Sequence, residues 1–464
     1  MSKEPKHFNI KPRILYQVAK AAWEGQLFER REEICQLVHE EFADHTTRRN
    51  VANQIRIAMG LNPHDDDTVI SEDEQEALMG MATDPVIVAN PDACSKCSEG
   101  SRTCEAVCPV QAISHNELGQ VRIDQSKCLG EGHCVAACSF GALTEKANFV
   151  PLIKLLRQQA SPVYASVAPA FAGQFGKDVT PGKLRSALVK LGFKEMVETA
   201  LYADIVTIKE AFEFDNFVKN ENDFLITSCC CPVWIKLIEN KYPELFNHIS
   251  PSVSPMVASA RIIKTFEPTA KVVFIGPCIA KKAEALLPEL KGAIDFVLTF
   301  QELSTIFEAA EIDPTLEKDE ENPQASWGGR VYGRTGGVSA AVEATLKTLV
   351  PRRAEIFSAL QLDGIPDCQK ALEKLKHGEI TANFIEGMAC KGGCVGGPGR
   401  IISADEGTIA VNNYGRASTS PTPVENPQVY SLLARLGYDA NVTNLTGEGP
   451  AATILARHAL NKPE

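Results

Sequence analysis

Fifteen cysteines are spread unevenly along 464 residues, and all but Cys35 and Cys368 fall into tight groups. One group reads Cys94-x2-Cys97-x6-Cys104-x3-Cys108-Pro109, followed by Cys128-x5-Cys134-x3-Cys138. Three further motifs lie far apart in the chain. They are Thr227-Ser228-Cys229-Cys230-Cys231-Pro232-Val233-Trp234, Gly276-Pro277-Cys278-Ile279-Ala280-Lys281-Lys282-Ala283-Glu284, and Phe384-Ile385-Glu386-Gly387-Met388-Ala389-Cys390-Lys391-Gly392-Gly393-Cys394. Thiolates are the soft donors that iron–sulfur chemistry needs. A structural zinc site is built from short cysteine pairs around one tetrahedral ion, which suits neither two x3 spacings nor the Cys-Pro pair. No charged and then apolar leader opens the sequence, and neither Arg30-Arg31 nor Arg48-Arg49 precedes one. The expectation is therefore a cytoplasmic protein whose thiols serve metal or redox chemistry rather than disulfides.

The segment with seven cysteines resembles a two-cluster ferredoxin, in which each half-motif gives three thiolates to one cluster and its last to the other. That resemblance implies one cluster on Cys94, Cys97, Cys104 and Cys138, and a second on Cys108, Cys128 and Cys134. The first half-motif carries extra residues between its second and third cysteines, which a surface loop absorbs at small entropic cost. In the second half-motif Glu131 stands where a cysteine is expected. One iron there is left to a carboxylate, to His133, to solvent, or is missing as in a three-iron cluster.

The three distant motifs, with Thr335-Gly336-Gly337-Val338 and Gly447-Glu448-Gly449, resemble the catalytic domain of the [FeFe]-hydrogenases from about residue 160 onward. The resemblance implies an H-cluster: a [4Fe-4S] cubane bridged to a two-iron unit that carries carbon monoxide, cyanide and a dithiolate. Cys231, Cys278 and Cys390 would hold the cubane and Cys394 would bridge to the two-iron unit. Lys281 would pair with a cyanide, Met388 would pack over the two irons, and Ala168 and Pro169 would line them. The glycines at 392, 393, 396 and 397 would let the backbone approach a bulky cofactor.

Anchoring the register on Pro232 and Trp234 makes Cys230 the proton-relaying thiol. Glu210, Glu213 and Ser250 then match the rest of the family's proton path without gaps. Cys229 is an extra thiol, read either as a small packed hydrophobe or as a protective or tuning group. Gly276, the Gly397-Pro398-Gly399-Arg400 ending and Phe217 depart from the family pattern. They place the chain in a divergent bacterial subgroup marked by three consecutive cysteines.

The elements that must position these residues follow from periodicity. Residues 10–60 carry apolar positions at three-and-four spacing, as in Ile14, Leu15, Val18, Ala21 and Ala22, and predict helices. An acidic stretch, 63–76, reads as a linker without a site. Residues 86–148 predict an α+β two-cluster ferredoxin-like domain with short strands such as 86–88 and 121–123. Beyond it, apolar runs at 163–167, 224–227, 272–275 and 296–299 alternate with helical patterns at 182–192, 232–241 and 301–310, which predicts an α/β catalytic domain of the iron-only hydrogenase type. The division expected is a helical region at 1–85, the ferredoxin-like domain at 86–148 and the H-cluster domain at 149–464.

A net charge of −12 excludes a general nucleic-acid binder, and no apolar run is long enough for a membrane span. The resemblance implies an enzyme that interconverts protons, electrons and dihydrogen, fed by ferredoxin or flavodoxin and dependent on hydrogenase maturation proteins. Two other readings share the cysteines. One is a hydrogen-sensing homologue. The other is a hydrogenase-like protein of iron–sulfur assembly, against which Cys230, Lys281 and Met388 argue.

Overall fold

The computed structural model describes residues 10–70, 74, 83–97, 102–138, 140–438, 445–446 and 450–457. Gly447, Glu448 and Gly449, like Glu72 and Asp73 of the acidic stretch, lie outside the described residues. Four short strands build the cysteine-rich region: β1 (Ile87–Ala89), β2 (Ile113–His115), β3 (Val121–Ile123) and β4 (Leu143–Glu145). β1 pairs with β4 and β2 with β3, both antiparallel.

Two parallel sheets form the scaffold of the second half. β5 (Val163–Val167), β6 (Glu195–Glu198), β7 (Leu225–Ile226), β8 (Lys271–Gly276), β9 (Phe296–Thr299), β10 (Ala359–Asp363) and β11 (Phe384–Met388) follow in chain order. One sheet runs β6-β5-β8-β9 and the other β10-β11-β7, every neighbouring pair parallel. β9 and β11 are buried at every position, the signature of parallel strands covered on both faces. The expected run at 224–227 shortens to β7; Thr227 N–H still donates to Ile385 O at 2.9 Å, and the chain turns at Ser228. The helices expected at 182–192, 232–241 and 301–310 are Pro181–Lys190, Pro232–Lys241 and Phe300–Ala309. The last begins with a capping box in which Thr299 and Glu302 satisfy each other's backbone N–H groups.

Helices Lys11–Glu24, Leu27–Glu41 and Arg48–Ala58 are not closed on themselves. Val18, Val38, Val51 and Ile55 belong to the same apolar core as Leu152, Ile153, Val297 and Ile306. Three amphipathic helices alone could not cover their own apolar stripes, so they cover the outer layer of the four-stranded parallel sheet. Buried polar contacts fix the join: Lys11 Nζ meets Glu145 Oε2 at 2.5 Å, Asn90 Nδ2 donates to Asn50 Oδ1 at 2.6 Å, and Ala147 N–H donates to Ile57 O at 3.1 Å. The acidic stretch supplies counter-ions rather than a bare linker, with Asp67 on Arg48 at 2.7 Å and Glu74 on Arg56 at 2.5 Å. No helix among the described residues is long and apolar enough to cross a membrane.

Candidate metal and proton-transfer centre

The first cysteine ligand of each distant motif stands just past the end of a parallel strand, the position at which open α/β sheets gather ligands. Cys231 follows β7, Cys278 follows β8, Cys390 follows β11, and Ala168 and Pro169 follow β5. The β7 exit turns sharply at Ser228, whose φ of 68° is left-handed, and Cys231 then caps the helix Pro232–Lys241. Trp234 Nε1 donates to Thr227 O at 3.0 Å, and the indole lies flat on Gly387 of β11, where any Cβ would overlap the ring. The third motif is fastened to the second through Gly399 N–H, which donates to Pro277 O at 2.8 Å, and a Cβ on Gly397 would stand 2.6 Å from that same oxygen. The glycines expected to face a cofactor thus include at least one that lets two backbone segments touch each other instead.

Cys231, Cys278, Cys390 and Cys394 form one electrostatic set. Burial pushes the Cys278 thiol up to about 11, and the charge of Cys231 adds to it. Burial likewise raises Cys394 to about 12, with Cys278 and Cys231 as its charged neighbours, and lifts Cys390 well above the usual thiol value, with Cys278, Cys231 and Cys394 around it. Cys231 is raised by burial too, against backbone N–H groups of Ala389, Trp234 and Val233 that favour its thiolate. Four half-buried thiols from three strand ends, with N–H groups aimed at one sulfur, are the donor set of a soft metal cluster.

Beside Cys394 lies a small cavity of about 50 Å³, bordered by Ala168, Pro169, Cys230, Phe274, Lys281 and Cys394 itself. Met256 also borders it, whereas Met388 packs with Cys230, Tyr332 and Phe384 in the adjoining core. Lys281 is 5% exposed and bonds Glu284 Oε2 at 2.5 Å. Burial works against its charge, but Glu284 and the thiols of Cys230 and Cys278 outweigh it and hold its pKa above the ordinary lysine value. Buried oxygens of Glu284, Glu210 and Ser228 lack hydrogen-bond partners. Buried polar atoms without a partner are rare in folded proteins and mark sites that can receive another group. The centre therefore fits an iron cluster on its four thiols and an anionic ligand beside Lys281.

From this cavity a line of buried polar groups runs along the helix Thr199–Phe217. Glu210 Oε1 accepts from Thr227 Oγ1 at 2.8 Å. Burial, and then the charge of Glu213, push the Glu210 carboxyl up to about 8, while the Cys229 thiol favours its ionised form. Ser250 Oγ donates to Glu213 Oε2 at 2.6 Å, and Ser252 Oγ donates to Glu213 Oε1 at 2.9 Å. Lys209 Nζ pairs with Glu213 and donates to Ser252 Oγ at 2.8 Å. Cys230 borders the cavity, and Cys229, rather than Cys230, is the thiol that acts on Glu210. Phe217, at the far end of the helix, is half exposed.

In the ferredoxin-like region Cys94 senses the charges of Cys138, Cys104 and Cys97, and Cys134 those of Cys128, Glu131 and Cys108. The two sets implied by the crossover are brought together. Of the residues that complete the centre, Lys209, Thr227, Ser252, Glu284, Met256 and Tyr332 were not singled out from the sequence. Lys209 stands one turn before Glu213, and Ser252 two residues after Ser250, so a search for polar neighbours of the path could have found them. Tyr332 and Met256 carry no such signal.

Residues 161–398 match the family described as "Iron only hydrogenase large subunit, C-terminal domain", and residues 94–149 match "LdpA Fe-S cluster-binding domain". The chain is 31% identical over 369 residues to the periplasmic [Fe] hydrogenase large subunit of Nitratidesulfovibrio vulgaris, covering 62% of this chain and 87% of that one. It is 31% identical over 307 residues to iron hydrogenase 1 of Clostridium pasteurianum, covering 56% of this chain and 53% of that one, so it spans about half of that relative's length. It is also 23% identical over 383 residues to cytosolic iron-sulfur assembly component 3 of Mus musculus, covering 68% and 80%. Among solved structures, a variant of [FeFe]-hydrogenase HydA1 from Chlamydomonas reinhardtii shares the fold, with a TM-score of 0.53 at 23% identity over 66% of this chain and 97% of that one.

Proposed function

The chain belongs to the iron-only hydrogenase large-subunit family, and from that premise we propose that it interconverts protons, electrons and dihydrogen. The carrying observation is the adjacency of two arrangements, one of half-buried thiols and one of buried polar groups. Four thiols are gathered at the strand ends, and a line of acids, thiols and hydroxyls runs toward Cys230, which borders one small cavity with Cys394. When bound, an H-cluster on Cys231, Cys278, Cys390 and Cys394 would supply the irons at which electrons and protons combine. The protein's own share is to carry protons and to hold charge. Glu213 takes a proton with Ser250 and Ser252 as its hydroxyl partners, and Glu210, nearly neutral at pH 7, passes one on toward Cys230 by way of the neighbouring Cys229. Lys281, held upright by Glu284, offers an ammonium to an anionic ligand.

Electrons enter through the ferredoxin-like region from a soluble carrier of the ferredoxin or flavodoxin class, and maturation proteins supply the two-iron unit. We place the chain in the subgroup with three consecutive cysteines and in the cytoplasm. An assembly protein has no use for a protonatable line ending at a cavity, and that line is what favours catalysis over the assembly reading.

Replacing Cys230 by alanine tests the proposal. Hydrogen turnover of the matured enzyme should fall by about a hundredfold or more with iron content unchanged. Unchanged turnover would remove Cys230 from the path. An infrared spectrum of the mature protein without metal-bound carbon monoxide and cyanide bands would refute the hydrogenase reading itself.

A further inference from the structure

The second ferredoxin-like site has three thiols, on Cys108, Cys128 and Cys134, and a carboxylate where the sequence pattern wants a fourth. Glu131 stands three residues after Cys128 and three before Cys134, the spacing of a cluster ligand. Its side chain is 12% exposed and borders the same small cavity as all three thiols. Its charge acts on Cys128 and on Cys134. His133, the other donor in reach by sequence, does not border that cavity; its ring is 30% exposed and its Nδ1 lies 3.5 Å from Glu131 Oε2.

The backbone fixes the carboxylate in place. Gly130 and Gly132 flank Glu131 with φ of 73° and 87°, a left-handed pair that folds the loop back over the cavity. A Cβ on Gly132 would stand 2.6 Å from Ile279 and 3.0 Å from Pro398, so the loop is seated on residues of the second and third catalytic motifs. The charge of Glu131 also reaches Cys390. The site is thus the one nearer the catalytic thiols.

We propose that Glu131 is the fourth ligand of this cluster, binding one iron through its carboxylate, with His133 as an outer partner of that carboxylate. The proposal rests on the cluster reading above. A hard oxygen donor on one corner of a thiolate-bound cube makes that iron the chemically distinct one, the first to be lost and the one open to exchange. His133 lies within reach to orient the carboxylate, as residues that contact a metal ligand from behind fix its direction.

The test is made on the full chain, anaerobically loaded with iron-57 and sulfide, with Mössbauer and electron paramagnetic resonance spectra and iron counts as readouts. In the wild type one iron should stand apart from those with four sulfur neighbours. Glu131→Ala should lose one iron per chain and give a three-iron signal, while Glu131→Cys should restore a four-iron cluster without the distinct iron. His133→Ala should keep the iron count. Full iron content with an unchanged spectrum in Glu131→Ala would overturn the proposal, as would loss of that iron in His133→Ala. A Cys128→Ser variant that loses no iron and no signal would overturn the cluster reading on which it rests.

Discussion

Glu210 has a measurable cost that its function should justify. Its carboxyl is fully buried and pushed from an ordinary value of 4.5 up to about 8, first by burial and then by the charge of Glu213. The unfolded chain ionises this group near its ordinary value, whereas the folded chain holds the proton until the higher one. Folding is therefore unpenalised below pH 4.5, loses stability as pH climbs toward 8, and carries a constant penalty above it. With about 1.36 kcal/mol per pH unit, the penalty is about 1 kcal/mol at pH 5 and about 4 kcal/mol at pH 8. Glu210→Gln keeps an acceptor for Thr227 but has no charge to bury. Urea unfolding of the cluster-free chain should find the variant more stable than the wild type by a margin that widens by about 3 kcal/mol from pH 5 to pH 8. Turnover of the matured variant should fall by about a hundredfold or more, because an amide cannot pass a proton. A stability difference that stays flat across that pH range would refute the claim that this carboxyl is held neutral by burial.

Two other perturbations bear on the frame. Lys281→Met leaves the fully buried Glu284 without its cation and should destabilise the cluster-free chain by about 3–5 kcal/mol, read by denaturant unfolding; an unchanged midpoint would show that the pair is not closed in solution. Gly387→Ala drives a methyl into the Trp234 indole and should cost about 1–3 kcal/mol while shifting the tryptophan fluorescence, and unaltered emission with full stability would mean that β11 and the indole are not in contact.

Much of the scaffold is legible in the residues themselves. Buried parallel strands read as unbroken apolar runs, so Val163–Val167 and Phe296–Thr299 stand at the positions their composition indicates. The thiols are legible because their spacing is set by the metal rather than by the fold. Less legible is whatever depends on which segments meet. Thr227 reads as the end of a strand, yet its hydroxyl is the partner of Glu210. Cys229 reads as a spare thiol, and its place at Glu210 follows from the left-handed turn at Ser228, which no pattern announces. Gly397 reads as room for a cofactor, whereas the neighbour that needs the room is the carbonyl of Pro277. The N-terminal helices read as a unit of their own because periodicity shows an apolar face without showing what lies against it.

The seam between those helices and the catalytic core has a consequence for electron delivery. The chain leaves the common core after Arg48–Ala58, builds the cysteine-rich region, and comes back to the core at Phe149–Gln158, where the bond from Ala147 to Ile57 draws the two crossing points together. An electron-carrying module held by one end would swing, and the gap to the catalytic thiols would vary with each excursion. Held by both ends and seated at Gly132 on Ile279 and Pro398, this region would keep its clusters at a distance from those thiols that is set when the chain folds.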